Sequence, residues 1–179
     1  MDYNGNLLCE VIVKGTPNEV LELEDGGFVL FTSSYTDGLY ALPCYDDQGN
    51  LRWTYSFSEE GSVYIASMYQ RNGDIYCFGE VRVQGDCNNI YIWRISPEGE
   101  LKQKIKIGGC DFESVYRVLQ TEDGFTMYGS TQSRDGDLPF SKNGYGVGFR
   151  AEISDDLILL HAEEYESQYS GMVGYHAGQ

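Results

Sequence analysis

Apolar and polar positions alternate with a period of two along most of this chain, in short runs broken by Gly, Asp and Asn turns. That pattern predicts half-buried β-strands rather than helices. The opening "NGNLLCEVIV" is a turn followed by a mostly apolar strand over 7–13. "TPNEVLELEDGGFVLFTSS" then reads as strand, turn, strand, with Gly26 and Gly27 supplying the positive φ of a tight hairpin. After "SYTDG" come the strand "LYALPCY", the turn "DDQGN" and the strand "LRWTYSF". These four strands are labelled A to D. A second pass repeats the order in "SVYIASMYQ", "IYCFGEV", "NIYIWRI" and "LKQKIKI". A third pass does so in "ESVYRVLQ", "FTMYGS", "YGVGFRAEI" and "LILLHAEEY". Only "DFESVYRVLQ" has a helical look, and its β-branched and aromatic residues suit a strand equally.

Aligned on the turn between strands C and D, Gly5, Gly49, Gly99 and Leu157 are equivalent, at spacings of 44, 50 and 58 residues. On strand B, Phe28, Ile75 and Phe125 correspond, followed two residues later by Leu30, Cys77 and Met127. The strand period makes all six interior positions. A repeat of this length, built from a four-stranded antiparallel meander, is the sequence signature of a β-propeller blade. An immunoglobulin-like sandwich has seven strands without internal repetition, and a simple barrel does not restart its turn pattern every fourth strand. The expected fold is therefore all-β: a propeller-like array of about three four-stranded blades, open or partial, over 16–57, 62–107 and 112–164. Strand 7–13 and the tail 165–179 are expected to belong to incomplete flanking blades, which makes the chain a segment of a larger ring.

The best-preserved corner is "YDDQGNLRW", Tyr45 to Trp53. With Asp46, Gly49 and Trp53 spaced through the turn, and Asp25-Gly26-Gly27-Phe28 on the inner hairpin, it resembles the bacterial tryptophan-docking repeats of pyrroloquinoline-quinone-type propellers. It is also similar to the Asp-box of sialidase-type propellers, although there the aromatic falls three residues after Gly and here four. At the Trp position the other units carry Cys9, Gln103 and His161. No quinone, calcium or sialidase residue set is matched, so the resemblance implies a scaffold, with no cofactor and no catalytic residue. Trp53 is then expected to pack between blades, at a cost of about 3–5 kcal/mol on truncation to Ala.

Charge narrows the partners. With 28 acidic against 12 basic residues the formal charge is −16, which repels phosphate backbones and anionic membrane surfaces and argues against nucleic acid. No apolar run approaches the ~20 residues of a membrane span, and Met1 runs directly into Asp2-Tyr3-Asn4-Gly5 without the features of a signal peptide. The chain reads as cytoplasmic, or as a piece of a bacterial protein displayed outside the cell. Cys9, Cys44, Cys77, Cys87 and Cys110 are an odd set without a C-x-x-C pair, which points to buried filler rather than a zinc site or disulfide framework.

In a propeller the D-to-A and B-to-C loops emerge on one face. On that face the sequence places Ser62 and Tyr64, then Asp111, Glu113 and Tyr116, then Asp135, Asp137, Phe140 and Lys142 of the long loop "TQSRDGDLPFSKNG". Rings that stack and carboxylates that accept hydrogen bonds suit a carbohydrate or peptide ligand; ordinary solvated loop residues are the bland alternative. Asp135 and Asp137 alternate around Gly136 as in a calcium loop, but the third acid and terminal Glu of an EF-hand are missing, so no metal site is assigned. His161 takes the Trp53 position of its repeat and reads as a packing residue, while His176 is the only other histidine. No nucleophile elbow is present. The leading expectation is a non-catalytic binding scaffold; the alternatives are part of a carbohydrate-active propeller hydrolase or lyase using loop carboxylates, and a purely structural module. Exposed strand edges of an open arc predict self-association.

Overall fold

A computed structural model describes residues 9–34, 38–59, 61–83, 85 and 87–165. Among the described residues the alternating runs become twelve strands in three sheets. The first sheet is β1 (Thr16–Glu22), β2 (Phe28–Ser34), β3 (Leu39–Tyr45) and β4 (Leu51–Ser56). The second is β5 (Ser62–Arg71), β6 (Asp74–Arg82), β7 (Asn88–Ile95) and β8 (Leu101–Ile107). The third is β9 (Glu113–Gln120), β10 (Gly124–Thr131), β11 (Val147–Ser154) and β12 (Leu159–Glu164). Within each sheet the strands pair antiparallel in sequence order, so each is a meander of the kind that forms a propeller blade. No helix occurs among the described residues, and the ambiguous "ESVYRVLQ" is strand β9.

The sheets stack face to face. Phe31, Leu42 and Cys44 of the first sheet share one core with Met68, Ile75, Cys77 and Trp93 of the second. The opposite face of the second sheet, with Tyr76, Phe78, Ile90 and Ile92, shares another with Val118, Phe125, Met127 and Phe149 of the third. The middle sheet is thus covered on both sides, and every residue of β6 except Arg82 is buried. The first strands β1, β5 and β9 lie against one another, as inner strands of adjacent blades do. The described residues form a propeller-like array of three blades.

Two of the six aligned strand-B positions depart from expectation. Ile75, Cys77, Phe125 and Met127 are buried, but Phe28 and Leu30 are half-buried. They face away from the second sheet, and no blade covers that side among the described residues. The expected strand 7–13 lies partly outside the described residues; its part 9–13 joins none of the three sheets. The tail beyond Tyr165 also lies outside them.

The equivalence inferred at the C-to-D corner has a physical meaning, because successive units touch there. Trp53 on β4 lies against the Gly99 turn of the next sheet, and its indole N–H donates to the Pro97 carbonyl at 2.7 Å. One blade on, Gln103 repeats the contact, its amide donating to the Asp156 carbonyl at 2.8 Å. Cys9, in the segment before β1, packs on Gly49. The three turns are built alike: the side chain of Asp46, Ser96 or Ser154 accepts backbone N–H groups of its own turn, as an Asx- or ST-turn does. Gly49 and Gly99 sit at φ 81° and 87°, and Leu157 takes the same left-handed position at 55°. His161, the last of the series, is exposed.

The face of the third sheet turned away from the core differs in kind from its equivalents. Register places Thr126, Glu152 and His161 in one row, and Tyr128, Arg150 and Glu163 in the next. Arg150 pairs with both Glu152 and Glu163. The corresponding face of the first sheet carries Phe31, Leu42 and Tyr55.

Candidate functional site

Meander topology sends the ends of β4 and β8 with the starts of β5 and β9, and the ends of β6 and β10 with the starts of β7 and β11, to one end of the sheets. The C-to-D turns, including "YDDQGNLRW", lie at the other. Where the second and third sheets meet, the first end is best developed. Asn88, at the start of β7, forms a parallel bridge with Phe112, which lays the loop entering β9 alongside the loop leaving β6.

Beneath this junction lies a buried polar layer. Glu80 accepts the Asn88 amide at 3.0 Å and the Val115 backbone N–H at 3.1 Å, and so ties the two sheets together. Its second outward contact is to the Arg82 guanidinium at 3.1 Å, which fixes that cation at the rim. Asn88 also donates to the Glu113 carbonyl at 2.8 Å. Glu113 is fully buried, and its carboxylate accepts the Thr131 hydroxyl at 2.9 Å and the Gly109 N–H at 3.3 Å.

The long loop folds onto the glycine segment Gly108-Gly109. The Asp135 carboxylate accepts the Cys110 N–H at 2.9 Å, and Asp137 accepts the Gly108 N–H at 3.2 Å while its own N–H donates to the Gly108 carbonyl at 3.0 Å. Gly136 makes this approach feasible: at φ 70° a Cβ there would stand 2.1 Å from the Gly108 carbonyl oxygen. Leu138 plugs the core below, and Phe140 packs against the same core. The Cys110 thiol, hydrogen-bonded to Asp135, holds that carboxyl below its ordinary range, with help from the Cys110 backbone N–H.

These placements sort eight of the nine residues expected on this face, all but Lys142. Ser62 and Tyr64 stand at the start of β5, with the Arg82 guanidinium 5.0 Å from the Tyr64 ring centre. Asp111 is half-buried and donates its N–H to the Ser133 hydroxyl at 3.0 Å. Tyr116 is 69% exposed, with its hydroxyl 2.6 Å from that of Ser130. Glu113 is corrected from a surface acceptor to a buried strut, because its oxygens are consumed inside the junction. Asp135 and Asp137 likewise hold the loop against Gly108 and Cys110, and Phe140 turns its ring to the core. The alternation of Asp135 and Asp137 is spent on backbone N–H groups rather than on a cation cage. Among the described residues no group of three or more His, Cys, Asp or Glu is arranged to hold a metal.

Other groups border the open surface. A cleft of about 280 Å³ is lined by Arg82, Val83, Asn88, Phe112, Ser114 and Gln132. A second, of about 410 Å³, shares Val83 and Phe112 and adds Gly85, Cys87, Cys110 and Asp111. Phe112, 52% exposed, lines both, and Tyr116 and the 48% exposed Tyr64 are further exposed rings on the inner strands β9 and β5. Sequence reasoning named the neighbours of Phe112 and missed the ring itself, although an aromatic directly before an inner strand at a loop end was the available signal.

Tyr116 owes its aim to a bulge. The inner strand of each sheet carries one extra residue, Asn18, Ala66 or Tyr116, where the register shifts against strand B. A bulge re-aims a side chain at the sheet edge. In the second and third sheets the partner beside it is Gly79 or Gly129.

No family model matches this chain, and no curated protein matches it. Among solved structures it is similar to a GH43 β-1,3-galactosidase, in a structure with galactodeoxynojirimycin, at 10% identity and a TM-score of 0.43. That likeness covers 79% of this chain and 43% of the galactosidase chain.

Proposed function

We propose that this protein is a non-catalytic binding scaffold, working within a larger propeller, whose ligand is a neutral carbohydrate held where the second and third blades meet. Three blades fall short of the four to eight that close a ring, so further blades belong to the working form. The observation that carries the binding reading is the exposed Phe112 ring on a cleft wall shared with Arg82, Ser114 and Gln132, with the exposed Tyr64 ring against Arg82 and Tyr116 exposed on the inner strand β9. Rings of this kind present an apolar face to a sugar while polar neighbours meet its hydroxyl groups. The formal charge of −16 disfavours anionic ligands. The nearby carboxylates of Glu113, Asp135 and Asp137 are engaged in holding the loops, which supports binding over acid-base cleavage.

Screening against an array of neutral oligosaccharides, followed by titration of the best binder, tests this. Phe112→Ala and Tyr116→Ala are each expected to weaken binding by about tenfold or more, roughly 1.4 kcal/mol, while leaving the thermal melt nearly unchanged because both rings are exposed. Unaltered affinity in both variants removes the rings from the site. Release of reducing sugar from any array member contradicts the non-catalytic reading.

A further inference from the structure

The second cleft contains a chemistry that the binding reading does not use. Cys87 comes from the B-to-C connection of the second sheet and Cys110 from the loop entering the third, and both line the same cleft beside Phe112 and Asp111. The Asn88–Phe112 bridge runs these two segments parallel immediately after the cysteines. Backbones paired in this way lie about 5 Å apart. Residues one and two positions before such a bridge therefore fall near the ~4–7 Å Cα separation that a disulfide spans. The Cys110 thiol is pushed upward, first by its hydrogen bond to Asp135 and that carboxylate's charge and with a smaller part from Cys87, so its thiolate forms more readily as the pH rises.

We propose that Cys87 and Cys110 are a redox pair that closes to an intramolecular disulfide on reaction with a low-molecular-weight disulfide. Cys110 is exposed and meets the reagent first. Its thiolate attacks one reagent sulfur, the reagent S–S bond breaks, and one reagent thiolate leaves to take up a proton. The Cys87 thiolate then attacks the Cys110 sulfur of the mixed disulfide and expels the second reagent thiolate. Two protein thiols are oxidised, one reagent disulfide is reduced to two thiols, and the two protons lost by the protein are carried by the products. Cys44 and Cys77 are buried in the core between the first two sheets and stay out of this exchange. The bond joins the two loops across the cleft and holds Phe112 against the second blade.

The experiment treats the whole chain with glutathione disulfide, then maps it by proteolysis without reduction and mass spectrometry. The expected product is a peptide pair linking Cys87 to Cys110, with the loss of two titratable thiols and no retained glutathione. In Cys87→Ser the same treatment should leave a glutathione adduct on Cys110, which shows that the first attack survives and only the resolving step is lost. A wild-type chain that keeps glutathione on Cys110, a link from either residue to another cysteine, or an unreacted pair would each overturn the proposal. A far-ultraviolet circular dichroism melt of both forms confirms that the folded chain is what was oxidised.

Discussion

Asp74→Ala is expected to destabilise the protein by about 3 kcal/mol, the lower end of the cost of breaking a buried ion pair. Asp74 is 3% exposed at the start of β6, and its carboxylate binds Arg94 at 2.6 Å and Lys102 at 2.8 Å. Removing it leaves two cations without their anchor. Lys102 is nearly half exposed and finds water, but Arg94 is mostly buried over the Tyr76 ring. The loss also spreads to the neighbouring blade, since Arg94 donates to the Asp155 carbonyl at 3.4 Å. The pH dependence carries a definite sign. Burial alone would raise the Asp74 pKa, yet the hydrogen bonds and charges of Lys102 and Arg94 outweigh it and hold the group below its ordinary value. A carboxyl whose folded pKa is depressed stabilises the fold above its unfolded value of about 4. That stabilisation disappears as the pH falls through the lower folded value. Urea melts of the wild type and variant should differ by a constant amount between about pH 5 and pH 8, with the gap closing in more acidic buffer. A gap that persists unchanged into strong acid would mean that Asp74 acts through packing rather than charge.

The second large effect is expected where blades dock. Trp53→Ala should cost about 3 kcal/mol: somewhat less than a fully buried Trp would, because the ring is half-buried, plus the hydrogen bond to Pro97. Gly99→Ala should be comparable, at about 2 kcal/mol or more. A Cβ at Gly99 would meet the Trp53 ring at 2.6–2.8 Å, and the backbone stands at φ 87° where a side chain is strained. These two losses share one contact, so they should not add. Once the indole is gone the added methyl has room, and the double variant should be more stable than the sum of the single effects predicts. Denaturant melts of the four proteins measure this coupling, and strict additivity would show that the ring and the turn are not partners.

The repeat was legible because two independent periods agreed. The alternation of two marked each strand, and the recurring turns marked every fourth one, so three meanders followed from local signals alone. The alignment at the Trp53 position was also physically sound: Cys9, Trp53 and Gln103 differ in chemistry yet each touches the turn of the next unit. Burial at the ends was not legible. Phe28 and Leu30 carry the same pattern as Ile75 and Cys77, and only the stacking order decides which of them is covered.

The candidate site was legible as an end of the molecule and not as a set of side chains. Glu113, Asp135 and Asp137 look in sequence like the many solvated acids around them. What distinguishes them is the segment Gly108 to Cys110, whose N–H groups take up the oxygens of Asp137, Glu113 and Asp135, those of the two aspartates only after two loops distant in sequence have met. The outward aim of Tyr116 depends on a bulge that leaves only the partner Gly129 as a trace. Arg82 and Gln132 sit at strand ends with nothing in their spacing to set them apart, and for Phe112 the position just before an inner strand was the one local signal.

The binding face is tested most directly by amide hydrogen exchange on the intact protein, with and without a saturating neutral oligosaccharide. The account predicts that protection rises at Arg82 and Val83 and across Phe112 to Tyr116, with the C-to-D turns at the opposite end unchanged. Protection confined to those turns, or to the apolar groove of the first blade around Leu39, Pro43 and Leu51, would contradict it.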